Sequence, residues 1–118
     1  MSEELDAWLA EHVRGWTLDC LVERFGEGWF DNTGLFVMEK VDWHPSTDPA
    51  QALEVEAAMY AKGWFPRWCH LSISRPIGHM VSFEQLDGNS YRMSRAPTFC
   101  EALCLAAKAA VLSQEKQI

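Results

Sequence analysis

No stretch of the chain approaches the roughly 18 to 20 consecutive apolar residues that a membrane-spanning helix requires. Met1 to Glu4 carry acid where a secretory signal has a basic segment, and no apolar core of a signal follows. A cytoplasmic protein that touches no membrane is therefore expected. In that compartment Cys20, Cys69, Cys100 and Cys104 are expected to be thiols rather than disulfides. No two of them stand at the close spacing of a zinc knuckle. Bases are scarce: Lys and Arg number 10 against 17 Asp and Glu, for a net charge of −7. Direct nucleic-acid binding needs a dense cationic face to displace counterions, so it is disfavoured. Gly26-Glu27-Gly28 is a fragment of a glycine-rich loop, but no Lys-Ser/Thr follows, which argues against a Walker-type phosphate site. There is no Gly-x-Ser-x-Gly elbow, no internal repeat, no low-complexity segment and no linker.

What is present suits one globular domain over residues 1–118, with 48% hydrophobic and 23% charged residues. A chain of this size buries about two-thirds of its unfolded surface and needs no disulfide or metal staple. Six Trp and six Phe are many for its length, more than a core alone accounts for. Acids gather at Glu3, Glu4, Asp6 and Glu11 and again at Asp48, Glu54 and Glu56, each group readable as a solvated helix face. The bases Arg67, Arg75, Arg92 and Arg95 fall later, so a local anion site in the second half stays open.

The spacing of Leu5, Trp8, Leu9, His12 and Val13 predicts a helix over residues 2–13, with Glu3, Glu4 and Asp6 favouring its dipole and Gly15 stopping it. Residues 16–34 resist assignment; Gly26, Gly28 and Asp31-Asn32-Thr33-Gly34 mark turns, and Trp29-Phe30 can begin a strand. Residues 35–43 are β-prone. A second helix over 48–62 is announced by Asp48 as cap, Pro49 at the first position and Gln51 completing a capping box. Its expected core stripe is Leu53, Ala57, Tyr60 and Ala61, and Gly63 ends it. Strands are expected over 64–74, 79–86 and 89–94, punctuated by Pro76-Ile77-Gly78 and the hairpin dipeptide Asp87-Gly88. In the first of these, Trp68, His70 and Ser72 share the more polar face, opposite Cys69, Leu71 and Ile73. Pro97 introduces a third helix over 97–113, with Thr98–Glu101 as a capping box, and Phe99, Leu103, Ala106, Ala107 and Ala110 as its buried side. The tail 113–118 is expected to fray. The order αβαβββα predicts an α+β domain, a three-layer α/β sandwich with a mainly antiparallel sheet and three helices.

Three segments resemble the phage ABA sandwich domain family. They are the opening helix from Leu5 to Trp16 with its closing Gly15-Trp16, the Pro45-Ser46-Thr47-Asp48 lead into an Ala-rich helix, and the final Ala96-Pro97-Thr98 helix running to Val111. The resemblance implies a sheet layered with helices and a phage or prophage genome, hence the cytoplasm of a host cell. It implies no reaction and carries over no functional residues.

Several constellations invite chemistry. Cys100 and Cys104 share a helix face, and Cys20, Cys69 and His70 are possible further metal ligands, but Cys69 and His70 alternate on a strand, so packing is preferred and no metal or cofactor is expected. His44, Ser46 and Asp48 are better explained as backbone caps than as a catalytic set. Trp64, Arg67, Trp68, His70, Arg75, His79, Tyr91, Arg92 and Arg95 crowd one meander. Within it Arg67, Trp68, His70, Arg75, Arg92 and Arg95 form a candidate ligand site, since aromatic rings stack bases and arginine binds phosphate in a bidentate way. Core packing and solvated rim explain the same residues equally. The expectation is a small non-enzymatic phage accessory protein that acts by binding a host protein; the alternative is sequestration of a small anionic, nucleotide-like ligand. An enzyme is the remote third class, and a homodimer is compatible with each.

Overall fold

The computed structural model describes residues 2–21, 26–71, 78–85 and 91–115. Helix α1 (Ser2–His12) is followed by three short strands, β1 (Thr17–Cys20), β2 (Glu27–Phe30) and β3 (Phe36–Glu39). A 3-10 turn (Lys40–Asp42) leads to α2 (Pro49–Ala61), then to β4 (Trp64–Leu71), β5 (Gly78–Gln85), β6 (Tyr91–Ala96) and α3 (Phe99–Glu115). The strands form two antiparallel sheets of order β1-β2-β3 and β4-β5-β6, so the chain is an α+β sandwich with three α-helices among the described residues. The expected helices and the β4–β6 meander are in place. The unassigned residues 16–34 and the β-prone residues 35–43 turn out to carry a small three-stranded sheet. Its strands are four residues each, too short for alternation to stand out from turn residues. The turn signal Pro76-Ile77, the Asp87-Gly88 dipeptide and the last three residues lie outside the described residues. No helix among those described is long and apolar enough to cross a membrane.

Local chemistry sets the helix ends. At the end of α1, Gly15 takes a φ of +73°, a conformation that a side chain resists. There the Arg14 N–H reaches back to the Leu9 carbonyl at 3.1 Å, and the Trp16 N–H to Ala10 at 2.9 Å. Asp48 caps α2, its carboxylate accepting from the Ala50 and Gln51 amides at 2.9 and 3.3 Å. The expected capping box is only half made. Gln51 does not return to Asp48; its Oε1 accepts from the His44 amide and its Nε2 donates to the Asp42 carbonyl, both at 2.6 Å. It braces the preceding loop instead. The Thr98 hydroxyl accepts from the Glu101 amide at 3.3 Å and starts α3.

The core lies between the β4–β6 sheet and the helices. Trp64, Val81, Phe83 and Ala96 are buried, and the ladder pairs place them on one face. Helix α3 covers β5 and β6, α2 covers β4, and α1 packs on α3. Ala102, Leu103, Cys104, Ala106, Ala107 and Ala110 of α3 are fully buried, a wider surface than the single stripe expected, because α3 has neighbours on several sides. Trp29 joins the same core from β2.

For α2 the expected core stripe is corrected. Ala52, Val55 and Met59 are the residues facing inward, whereas Leu53 and Tyr60 are 48% and 60% exposed and Ala57 and Ala61 are exposed with them. The helix is apolar nearly all round, so periodicity allowed two faces. The narrower Ala-Val-Met side fits against Ala-rich α3, where small side chains let helices approach closely.

On the flank of α2, Glu56 has one carboxylate oxygen that is buried without a partner, and burial raises its pKa above the ordinary 4.5. A raised carboxyl pKa means that the folded state holds the proton more tightly. Its penalty is absent below pH 4.5 and grows as pH rises through the folded-state pKa. Glu56→Met should therefore raise stability at neutral pH by about 1 kcal/mol. In urea melts across pH, the gain over the wild type should shrink on acidification; a gain independent of pH would contradict burial as the cause.

Candidate binding surfaces

The junction between α1 and the start of α2 carries the most deeply buried charged side chain among the described residues. Asp6 is 4% exposed, and both its carboxylate oxygens are used. Oδ1 accepts from the Ser46 amide at 2.9 Å and Oδ2 from the Ser46 hydroxyl at 3.0 Å. The Trp43 indole donates to the Asp6 carbonyl at 2.8 Å. Trp43 in turn meets the edge of Trp16 at 4.7 Å and 67°, and the Arg14 guanidinium lies 4.8 Å over Trp16. Burial raises the Asp6 pKa above the ordinary 3.8, opposed by the two Ser46 bonds and by nearby His44. The expectation that Asp6 merely favours the helix dipole from solvent is thereby corrected. Of the residues read as backbone caps, Asp48 caps α2, whereas the Ser46 hydroxyl donates instead to the Asp6 carboxylate.

Two clefts flank this junction. One, of about 320 Å³, is lined by Glu3, Asp6, Trp29, Lys40, Trp43 and His44 among others. Trp29 is 1% exposed, and its indole N–H has no partner. Lys40 lies 3.7 Å from Glu27. The other, of about 450 Å³, lies between α1, the start of α2 and α3, with Glu4, Ser46, Thr98, Glu101 and Lys108 on its walls. Each cleft holds two carboxylates and one lysine. Neither includes any of the six expected ligand residues.

Of those six, Arg67 is exposed and sits 3.5 Å from Glu84 on the neighbouring strand. The side chains of Trp68, His70, Arg92 and Arg95 and the whole of Arg75 lie outside the described residues. The ladder nevertheless fixes strand positions. Positions 68, 70 and 92 pair with Val81, His79 and Phe83, on the face that α2 and α3 cover. Positions 67 and 95 pair with Ser82 and Met80, on the other. The face of positions 68 and 70, expected to be the more polar, is the one that carries the core.

Among the cysteines, Cys100 and Cys104 are buried and Cys20 is exposed. Burial pushes both buried thiols up, Cys104 far above the ordinary range, with Asp6 adding to the effect there and Asp48 at Cys100. A raised pKa keeps both in the protonated thiol form within the helix packing. Among the described residues no three His, Cys, Asp or Glu side chains are grouped to hold a metal.

The apolar surface that sequence reasoning missed lies on the small sheet. Asp31 organises the β2–β3 turn: its Oδ1 accepts from the Thr33 amide at 2.9 Å, the Thr33 hydroxyl at 2.6 Å and the Leu35 amide at 3.0 Å. The Thr33 hydroxyl bond above all, and then the Leu35 amide, hold its carboxyl below the ordinary 3.8. Gly34 turns the chain at φ +88°. Beyond it Leu35 and Phe36 are 68% and 52% exposed. Phe36 meets Phe30 edge-on at 5.7 Å. Gly28 is a floor beneath Phe36 and Leu21; a Cβ there would meet them at 2.9 and 2.8 Å. The available signal was the Asp-x-Thr-Gly turn set directly before two large apolar residues.

A scan against known families matches the phage ABA sandwich domain over residues 7–108. The chain belongs to this phage-associated family. No curated protein matches it, and no solved structure does.

Asp6→Ala should destabilise the fold by about 1–3 kcal/mol, since it strands the Ser46 donors in a buried site. Asp6→Asn keeps an acceptor for the Ser46 amide without a buried charge, and should cost less. Because the folded-state pKa is raised, the Asp6 charge penalty appears only above pH 3.8, so the cost of Asp6→Asn should be smaller at neutral pH than in acid. Denaturant melts of both variants at several pH values measure this; equal costs for Ala and Asn would contradict the role given to Ser46.

Proposed function

We propose that this phage ABA sandwich protein is a small non-enzymatic accessory protein that acts in the host cytoplasm by binding a host protein through the β2–β3 end of its small sheet. One observation carries the reading: Leu35 and Phe36 are exposed, with half-buried Phe30 meeting Phe36 edge-on beneath them, on a turn already fixed by three hydrogen bonds to Asp31. Exposed apolar patches on small proteins mark interaction sites, and large rings on a preorganised loop bind with little ordering cost. The structural use of Asp6, Ser46 and Asp48 and the burial of Cys100 and Cys104 support a non-enzymatic role.

The alternative, sequestration of a nucleotide-like anion by Arg and aromatic residues, has less support. Arg67 is matched by Glu84, and both described clefts carry more carboxylates than lysines. The ladder also divides the five described positions among these six between two sheet faces.

A photo-crosslinking residue in place of Leu35 tests the proposal during infection. The expected result is one host-protein adduct that re-forms a complex from purified components. Phe36→Asp should weaken that complex by about 2 kcal/mol or more while leaving the thermal melt unchanged. Asp31→Ala should weaken it less, by loosening the turn. Undiminished binding by Phe36→Asp, or an adduct that fails to re-form a complex, would contradict the proposal.

A further inference from the structure

The small sheet has two unlike faces. Trp29 is buried, and its ladder partners Leu18 and Met38 pack against the core with it. One residue along, the pleat turns Gly28 and Phe30 the other way, so the rungs Asp19–Gly28–Glu39 and Thr17–Phe30–Phe36 lie on the outward face. The register shift that leaves Val37 outside the rungs lets Phe36 and Glu39 share that face. The Phe36 ring leans from β3 across the central strand. Together with the Leu21 side chain it fills the space that a Cβ at Gly28 would take. The result is an aromatic platform, half open to solvent at Phe36. The exposed carboxylate of Asp19 stands on the next strand, about 5 Å to one side of Gly28.

We infer that this face is a recognition site for an arginine side chain, laid on the Phe36 ring beside Asp19, and that it takes a partner whose contact surface is basic. The inference rests on the reading of the small sheet as the docking surface and names the chemistry of what docks there. The argument is charge complementarity. Strands β1, β2 and β3 hold no Lys, Arg or His. Residues 16–43 carry Asp19, Glu23, Glu27, Asp31, Glu39 and Asp42 against Arg24 and Lys40. Lys40 lies 3.7 Å from Glu27, whose rung is on the Trp29 side of the pleat, away from the platform. Two carboxylates near the ring are held by the backbone. Asp19 Oδ1 accepts from the Cys20 amide at 2.8 Å, and Asp31 at the hairpin end accepts three bonds. Fixed negative charge beside an open ring favours a cation over an anion. Arginine suits it better than lysine, because its plane stacks on a ring while its edge donates to a carboxylate. The net charge of −7 adds long-range attraction for a basic partner.

The first test needs no partner protein. The full chain is titrated with N-acetyl-arginine N-methylamide to about 50 mM, a range that detects millimolar affinity, and followed by amide NMR spectra. Shifts should concentrate at Asp19, Gly28 and Phe36 and exceed those from the lysine analogue by about threefold or more. They should fall away in Asp19→Asn, which keeps an acceptor for the Cys20 amide, and in Phe36→Leu, which keeps the apolar bulk. No shift on this face, shifts gathered instead on the acids of α1, or shifts unchanged in Phe36→Leu would each overturn the inference.

The second test uses the host protein captured through position 35. Its association with the wild type should be about tenfold slower or more in about 500 mM NaCl than in about 50 mM. Asp19→Asn should weaken the complex about threefold and flatten that salt dependence, and Phe36→Leu should weaken it about fivefold. The outcomes separate the two readings. If Phe36→Asp abolishes the complex while salt and Asp19→Asn leave it unchanged, the docking surface stands and the basic partner is wrong. If the arginine amide marks Phe36 but no host adduct re-forms a complex, the host-protein reading fails and the arginine site stands.

Discussion

A carboxylate removed from water is tolerated only where its lone pairs are filled, and at Asp6 a single residue, Ser46, fills both oxygens. That pair fixes α1 against the approach to α2. It also sets Trp43, whose indole reaches the Asp6 backbone, and through Trp43 the ring of Trp16 just beyond the turn at Gly15. Gln51 then holds the backbone of Asp42 and His44. Residues from four sequence regions thus meet in one network, joining the N-terminal helix to the start of the second.

The rest of the packing follows from small side chains. Four of the six fully buried residues of α3 are alanines, which contribute little area each but allow α1, α2 and the β4–β6 sheet to crowd around one helix. Bulk comes from Trp29, Trp64 and Phe83, all essentially inaccessible. A small domain with this arrangement has few layers and much periphery. Among the described residues, exposed large apolar side chains outside the core include Leu35 and Phe36 at the β2–β3 turn and Leu53 and Tyr60 on α2, besides Val41. The first pair sits on the turn held by Asp31 and the second on the helix capped by Asp48, and elements held by local hydrogen bonds present a contact surface at low entropic cost.

Local chemistry in the sequence was legible. Asp48 with Pro49, Thr98, Gly15 and Gly63 mark helix ends, and each acts there as its chemistry requires. Choices that depend on tertiary partners were not legible. On α2, two apolar faces were equally periodic, and the mate of Ala-rich α3 decided between them. Gln51 completed a capping pattern in sequence, yet a nearer loop offered it two backbone partners. The small sheet escaped because four-residue strands separated by tight turns leave no period to read. Asp6 looked like one more acid in a first helical turn, since nothing local announces a partner 40 residues away. The Arg-aromatic cluster of the meander looked like one site because its members are close in sequence; the pleat assigns the described positions among them to two faces.

The junction of α1 and α2 is the claim on which the placement of both surfaces depends, and a double-mutant cycle between Asp6→Ala and Ser46→Ala measures it directly. Unfolding free energies of the wild type, both single variants and the double variant, taken in urea, give the coupling. If the Asp6–Ser46 pair joins the two helices, the double variant should be more stable than the sum of the single losses predicts, by about 1–3 kcal/mol. Strict additivity would contradict the pairing and with it the structural role assigned to the buried carboxylate.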